Sequence, residues 1–339
     1  MWWLDDGTDT EHGGIAVTVA MLLVVLIGVG ALVLDVGNLY WERRQLQNGA
    51  DAAALAAAQD IAAGEGTTAE QTARAYATAN NTRGAHLETF EHDAAASTVT
   101  VTTRTGDEDN PGFLASWLAG VLGHDDYFAR AQATALITGA KGGSAFPVII
   151  SYCEWEVFLT NPEEFGTPGF EPDFKTASQT IYLLDPHDAT GDCTGPSGHQ
   201  APGGWGWLDP DSGECSAHVD QEGWVEGNTG STSPAPASQT GCDQAFFDAV
   251  VASDEPVLLP IFEQDNDRPG DNHEFKVMGF AGYVIDGYRI RGNWANNAPC
   301  GNPDRCFRGR FTEYITLAQY QEGDYATFDL GAREIHLIG

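Results

Sequence analysis

Between Ile15 and Leu34 the chain reads IAVTVAMLLVVLIGVGALVL, twenty residues with no charge and only Thr18 as a polar side chain. At about 1.5 Å of rise per residue, a helix of that length covers roughly 30 Å, the thickness of a bilayer's hydrocarbon core. A helix in a soluble core normally carries a polar stripe, and this run has none. The residues that follow, DVGNLYWERRQLQNGADAAALAAAQDIAA, are rich in Ala, Leu, Gln, Glu and Arg, all strong helix formers. The pattern therefore predicts one helix that crosses a lipid bilayer and continues past it, roughly 70 Å in all. In its second half Ala50, Ala54 and Ala58 fall at i, i+4 spacing, a small face that permits close lateral packing.

Beyond this helix the pattern shortens. Gly64-Glu65-Gly66 breaks it, and Thr67 with Glu70, or Thr68 with Gln71, has capping-box spacing for a second helix reaching about Asn80. Ser97 to Arg104 reads STVTVTTR, a strand by alternation and β-branched content. Asn110-Pro111 opens a third helix with Phe113, Leu114, Trp117, Leu118, Val121 and Leu122 on one face, ended by Gly123. From Tyr127 to Thr138, alternate positions hold Ala129, Ala131, Ala133 and Ala135, a face small enough for a helix to approach closely.

Lys141-Gly142-Gly143-Ser144 reads as a linker, and after it come short β-rich runs among loops heavy in Gly, Pro, Asp and Asn. The expected strands are Val148–Leu159, Thr180–Leu184, Val257–Phe262, Phe275–Arg291, Phe307–Leu317 and Ala326–Ile338, with Gly204-Trp205-Gly206-Trp207 in the long middle loops. The fold class is α+β. Residues 1–14 form a polar stub with Trp2 and Trp3 at the membrane interface, and 15–63 the long helix. Residues 64–141 form a small α+β unit leaning on its alanine-rich end, and 142–339 a β-rich domain stapled by cysteines. Those cysteines are Cys153, Cys193, Cys215, Cys242, Cys300 and Cys306. Six allow fifteen pairings. Cys300 with Cys306, across a turn at Gly301 to Asp304, and Cys215 with Cys242 are the local choices.

Charge changes the list of partners. With 49 acidic against 16 basic residues the formal charge is −33, and Lys141, Lys175 and Lys276 are the only lysines. Such a chain repels nucleic acid and anionic lipid headgroups, and no basic stripe in the sequence rescues either partner. Charge also bears on orientation. Asp5, Asp6, Asp9 and Glu11 precede the apolar run while Arg43 and Arg44 follow it, so the positive-inside rule alone puts the C-terminal bulk in the cytoplasm. That rule weakens for long translocated domains, and an acidic, cysteine-bearing second half fits an extracytoplasmic place better.

Motifs for catalysis are missing. No H-E-x-x-H, P-loop or strand-following G-x-G-x-x-G occurs, and Ser197 in Gly195-Pro196-Ser197-Gly198 lacks the spacing of a nucleophile elbow. His187, His199 and His218 lie in glycine-rich and acidic loops, and Glu163-Glu164 and Asp254-Glu255 are adjacent carboxylates in a chain full of them. Asp209, Asp211, Gly213 and Asp220 partly resemble a calcium loop, but Glu214 stands where the sharp turn needs glycine. The oxygen-rich stretch from Glu263 through Asn272 reads as polar turns. No catalytic residue, cofactor or metal is expected.

The segment from His12 to Gln59 resembles the N-terminal segment of the Flp pilus-assembly TadE/TadG-like proteins. The matching points are Gly13-Gly14, the apolar run, Asp35-Val36-Gly37, Leu39-Tyr40, Arg43-Arg44-Gln45-Leu46 and Ala50-Asp51-Ala52-Ala53-Ala54-Leu55-Ala56. A looser likeness to actinobacterial members extends to Pro147 through Trp155. The resemblance implies a non-enzymatic, single-pass membrane protein of the tight-adherence pilus machinery, with its bulk outside and other pilus-assembly or pilin subunits as partners. Two departures stand out. Prepilin-like relatives carry a glutamate five residues after the cut glycine, where this chain has Val19, and the D-x-S-x-S site of a von Willebrand A domain is missing. The alternative is an anchored adhesin or carbohydrate-binding module using Trp205, Trp207 and Trp224 as a stacking shelf.

Overall fold

The computed structural model describes residues 12–80, 84–106, 128–140, 142–167, 170–183, 191–210, 213, 215–220, 224–228, 241–266, 273–291, 294–317 and 328–338. The helix expected at 110–123 lies outside them. One helix, α1 (His12–Ala62), runs unbroken for 51 residues, about 75 Å at helical rise. From Ile15 to Leu34 every side chain but Ala31 is exposed, and this part is long and apolar enough to cross a membrane. From Leu46 onward the same helix is built into a folded head. It stops where Gly64 takes a left-handed φ of 73°. The N–H of Glu65 then returns to the Asp60 carbonyl and that of Gly64 to Ile61, closing carbonyls the helix leaves open.

Helix α2 (Ala69–Ala79) folds back along α1 and buries Ala69, Ala73 and Ala77. Thr68 precedes it as expected, yet no capping box forms. The Thr68 hydroxyl donates to Asp60 and to the Glu65 carbonyl instead, and Thr72 Oγ1 donates to Asp60 Oδ2 at 2.5 Å. Asp60 therefore ties the second helix to the first.

The strands begin with β1 (Ala85–Asp93), β2 (Thr98–Thr105) and β3 (Arg130–Gly139). Next come β4 (Gly142–Ala145), β5 (Val148–Ser151), a short helix α3 (Tyr152–Val157) and β6 (Gln179–Tyr182). Then β7 (Cys193–Thr194), β8 (Gln200–Ala201), β9 (Trp205–Leu208), β10 (Ala217–Asp220) and β11 (Trp224–Asn228) lead to helix α4 (Gln244–Ser253). The last are β12 (Val257–Asp265), β13 (His273–Arg291), β14 (Trp294–Asn296), β15 (Cys306–Thr312), β16 (Tyr314–Leu317) and β17 (Ala332–Ile338).

A first sheet has the order β1-β2-β3-β17-β16, and α1 lies across it. This corrects the division expected at residue 142. Strands β16 and β17 come late in the chain but complete the first sheet, because β17 pairs antiparallel with β3 and sets Ile335 among its buried alanines. The expected linker is also structured: Gly142 to Ala145 is β4, paired with β10.

A second sheet runs β11-β9-β5-β12-β13-β15-β6, and β11 comes round to pair with the start of β13. Strands β5, β9, β11, β12 and the first part of β13 thereby close into a ring. Phe275 fills it. A Cβ added at Gly206 would lie 2.4 Å from the Phe275 ring, and one at Gly227 would lie 2.5 Å from it, so only hydrogen fits at either place. The run expected as one strand from Val148 to Leu159 divides at Ser151, whose hydroxyl accepts from the Cys153 N–H and opens α3. Trp205 and Trp207 lie not in loops but in β9, fully buried and edge-on at 5.0 Å between ring centres. Alternating Gly and Trp lets one face of β9 admit Phe275 while the other fills the core.

Three disulfides join Cys153 to Cys193, Cys215 to Cys242 and Cys300 to Cys306, spanning 40, 27 and 6 residues. Restricting the unfolded chain by loops of these sizes is worth about 3–4 kcal/mol for the two long ones and about 2 for the short one.

The ring sets a test of the fold. Gly206→Ala should push Phe275 out of its seat and destabilise the head by about 1–3 kcal/mol in denaturant unfolding, as overpacking does. An unchanged midpoint would show that Phe275 has room to move.

Candidate functional site

Helix α1 is the feature with chemistry to explain, since one helix carries two incompatible surfaces. Its first half exposes Met21, Leu22, Val24, Leu26 and Ile27, and its second half buries alanine. Ala50, Ala54 and Ala58 are fully buried, together with Ala53 and Ala57. They face Val99 and Val101 of β2, Ala131, Ala133 and Ala135 of β3, and the alanines of α2. Small side chains on both sides let the helix axis approach the sheet and α2 closely. At Gly49 a Cβ would come within 3.3 Å of the Ala77 carbonyl oxygen, so glycine serves the closest crossing.

Polar groups fix the helix in register on this seam. Thr103 Oγ1 donates to the Leu46 carbonyl at 3.0 Å, and Gln47 Nε2 donates to the Gln132 carbonyl at 3.0 Å and to Asp51 at 2.8 Å. At the far end α1 has no basic residue in its last turn. The missing cation comes from β17: Arg333, 2% exposed, donates from Nη1 to the Ala62 carbonyl, 271 residues away in sequence. A guanidinium there meets both the open carbonyls and the negative end of the helix dipole.

Arg333 also donates from Nε to Asp329 Oδ2 at 2.7 Å and lies 3.5 Å from Glu313. Burial works against its charge, but Asp329, Glu313 and Glu171 outweigh that and hold the guanidinium above its ordinary pKa. Glu313 moves the other way in effect. Burial lifts its pKa, Arg333 opposes the lift, and the like charges of Asp329 and Glu171 add to it. Arg333 bonds Asp329 directly but stands 3.5 Å from Glu313, so burial prevails at Glu313. Ile61, Phe165, Phe170 and Phe328 border the same junction, where a cleft of about 510 Å³ opens.

The other sequence candidates do not converge. All six cysteines are in disulfides. His199 and His218 are exposed, and His187 lies outside the described residues, as do Asp211 and Glu214 of the calcium-like loop. Glu163 and Glu164 are exposed in a 3-10 turn. Asp254 ends α4 in a left-handed conformation and pairs with Arg310. Among the described residues no group of three or more His, Cys, Asp or Glu is placed to hold a metal. Of the three tryptophans proposed as a shelf, Trp224 alone is exposed, at 43%. The residues that sequence reasoning missed are Arg333 and the glycines of the ring. Arg333 carries no local signal, because its partner is the end of a helix at the other end of the chain.

Two substitutions test the seam. Ala54→Leu leaves helix propensity almost unchanged but adds three carbons where alanines meet, and should cost about 1–3 kcal/mol. Unchanged unfolding would place Ala54 at solvent. Arg333→Met strips the α1 cap and leaves Asp329 and Glu313 facing each other. The expected loss is about 2–3 kcal/mol, below that of a fully enclosed pair because both carboxylates reach water. The defect should depend on pH. Folded Glu313 holds its proton more tightly than the unfolded chain does, so its ionisation costs stability as pH rises through the ordinary carboxylate range to its raised pKa. Without Arg333 that cost grows, and the variant should be further below wild type near neutrality than at about pH 4. A defect equal at both would mean that Glu313 is not coupled to Arg333.

Comparisons with known proteins agree with this emphasis on α1. No curated protein and no solved structure matches the chain. A family model described as "Putative Flp pilus-assembly TadE/G-like" matches residues 13–60, which lie wholly within α1 and include none of the strands. The similarity to that family thus spans the membrane-length run and the alanine seam together.

Proposed function

We propose that the chain is a membrane-anchored, non-enzymatic assembly protein of a Flp/Tad-type pilus, with its head on the extracytoplasmic side. The observation that carries this reading is the coincidence of the family match with one continuous helix, exposed and apolar over Ile15–Leu34 and sealed into a head from Leu46. A helix built this way transmits position. Whatever holds the first half in the membrane also orients the head, because no break separates them. The three disulfides support an extracytoplasmic place, where such bonds persist. Partners are the lipid bilayer and pilus-assembly or pilin subunits that reach the exposed face of α1. Burial of Trp205 and Trp207 takes away most of the shelf that a carbohydrate-binding module would use.

The test has two arms in cells carrying the full chain. Protease added to intact, wall-stripped cells should cut within 142–339, and cutting confined to inside-out vesicles would reverse the orientation. A photo-crosslinking residue at Val24 should trap a pilus-assembly or pilin subunit. Adducts with lipid alone would leave an anchored protein without the assembly role.

A further inference from the structure

The cleft at the end of α1 combines aromatic rings with acids. Phe165, Phe170 and Phe328 line it, all three half-buried. Phe170 stands edge-on to Phe165 and Phe328 lies tilted against it, each at 5.4 Å between ring centres. Phe165 also packs against Tyr152 at 5.6 Å and Trp155 at 5.1 Å, which anchors the three rings in the aromatic core. The opening of about 510 Å³ lies within the range of sites that take a ligand.

Glu171 and Asp329 line the same cleft, Glu171 exposed and Asp329 half-buried. Arg333 lies among them, but it is 2% exposed and already donates from Nε to Asp329 and from Nη1 to the Ala62 carbonyl. Its Nη2, also buried, finds no acceptor among the described residues. The acids still act on their surroundings. Burial lifts the pKa of Glu313 first, and Asp329 and Glu171 each add to that lift against the pull of Arg333. Around them the whole chain carries a formal charge of −33.

We propose that this cleft docks a lysine or arginine side chain presented by a basic partner protein. Phenyl rings attract a cation through their quadrupoles, and a carboxylate at the rim adds a charge-assisted hydrogen bond. An anionic ligand is repelled by the same acids and by the charge of the whole chain. A second copy is the less favoured occupant, since two chains of formal charge −33 repel each other. A free ammonium ion has little to hold it, because an exposed cation–π contact and an exposed ion pair are each weak. A peptide brings main-chain carbonyls as well, acceptors of the kind that Arg333 Nη2 lacks. The cleft borders Ala62, about 40 Å along α1 from Leu34 and so well clear of the apolar run.

Fluorine NMR of the full chain in dodecyl maltoside micelles tests this. Para-fluorophenylalanine at Phe328 is the reporter, and the same residue at Phe275 in a second sample checks the fold. The probes are the capped tripeptide Gly-Arg-Gly, its Gly-Gln-Gly and Gly-Glu-Gly counterparts, and tetramethylammonium. The arginyl peptide should move the Phe328 signal saturably and leave Phe275 still, and the other two peptides should move neither. Glu171→Gln and Phe170→Leu should each weaken binding about two- to fivefold, and together about tenfold. Glu171 is exposed, so Glu171→Gln decides alone if Phe170→Leu disturbs the Phe275 signal. The proposal is overturned by the absence of a saturable shift, by a glutamine or glutamate peptide that binds as tightly as the arginine one, or by undiminished binding in Glu171→Gln. Tetramethylammonium binding as tightly as the arginyl peptide assigns the cleft to free ammonium ions and overturns the partner. None of these outcomes touches the crosslink at Val24, which tests the assembly role separately.

Discussion

Everything in this structure depends on α1 being continuous. One helix of 51 residues carries two surfaces in succession, exposed and apolar enough to cross a membrane along Ile15–Leu34 and built into a protein interior from Leu46 to Ala62. The two halves solve opposite problems. In lipid the backbone bonds are already closed within the helix, so large apolar side chains can point in every direction. Inside the head the same backbone must approach a sheet and a second helix, and only small side chains allow that approach.

The alanine seam has a consequence for stability. Ala buries little area, so each contact along Ala50, Ala54 and Ala58 contributes less than a Leu would. The deficit is offset by polar fixtures at both ends of the seam. Thr103 and Gln47 hold its start, and Arg333 holds its end through a carbonyl and the carboxylates of Asp329 and Glu313. The aromatic core around Trp155, Trp205, Trp207, Tyr283 and Phe307 stabilises the second sheet separately. The Trp155 indole N–H donates to the Leu330 carbonyl, just before β17, and so links that core to the strand that returns to the seam. Bond by bond, the disulfide-stapled part of the chain is tied back to the helix.

Much of this was legible in the sequence because it is local. The apolar run, the break at Gly64 and the alternation of Ala131, Ala133 and Ala135 are periodic signals within one element, and periodicity survives whatever the tertiary context does. Cys215 with Cys242 and Cys300 with Cys306 were legible for the same reason, being close in the chain. Strand β1, AHLETFEHD, was not, since polar and charged residues at an edge mask its alternation. Gly204 to Trp207 misled because glycine usually marks a loop, whereas here it makes room for Phe275.

By itself, then, the sequence determined the long helix, its two characters and the α+β class, all written in spacing along one segment. The tertiary structure decided what required distant residues to meet. It placed β17 beside β3, brought Arg333 to the end of α1 and turned two tryptophans inward. Arg333 and the Ala62 carbonyl lie 271 residues apart in the chain, and a hydrogen bond or a charge acts through space rather than along sequence.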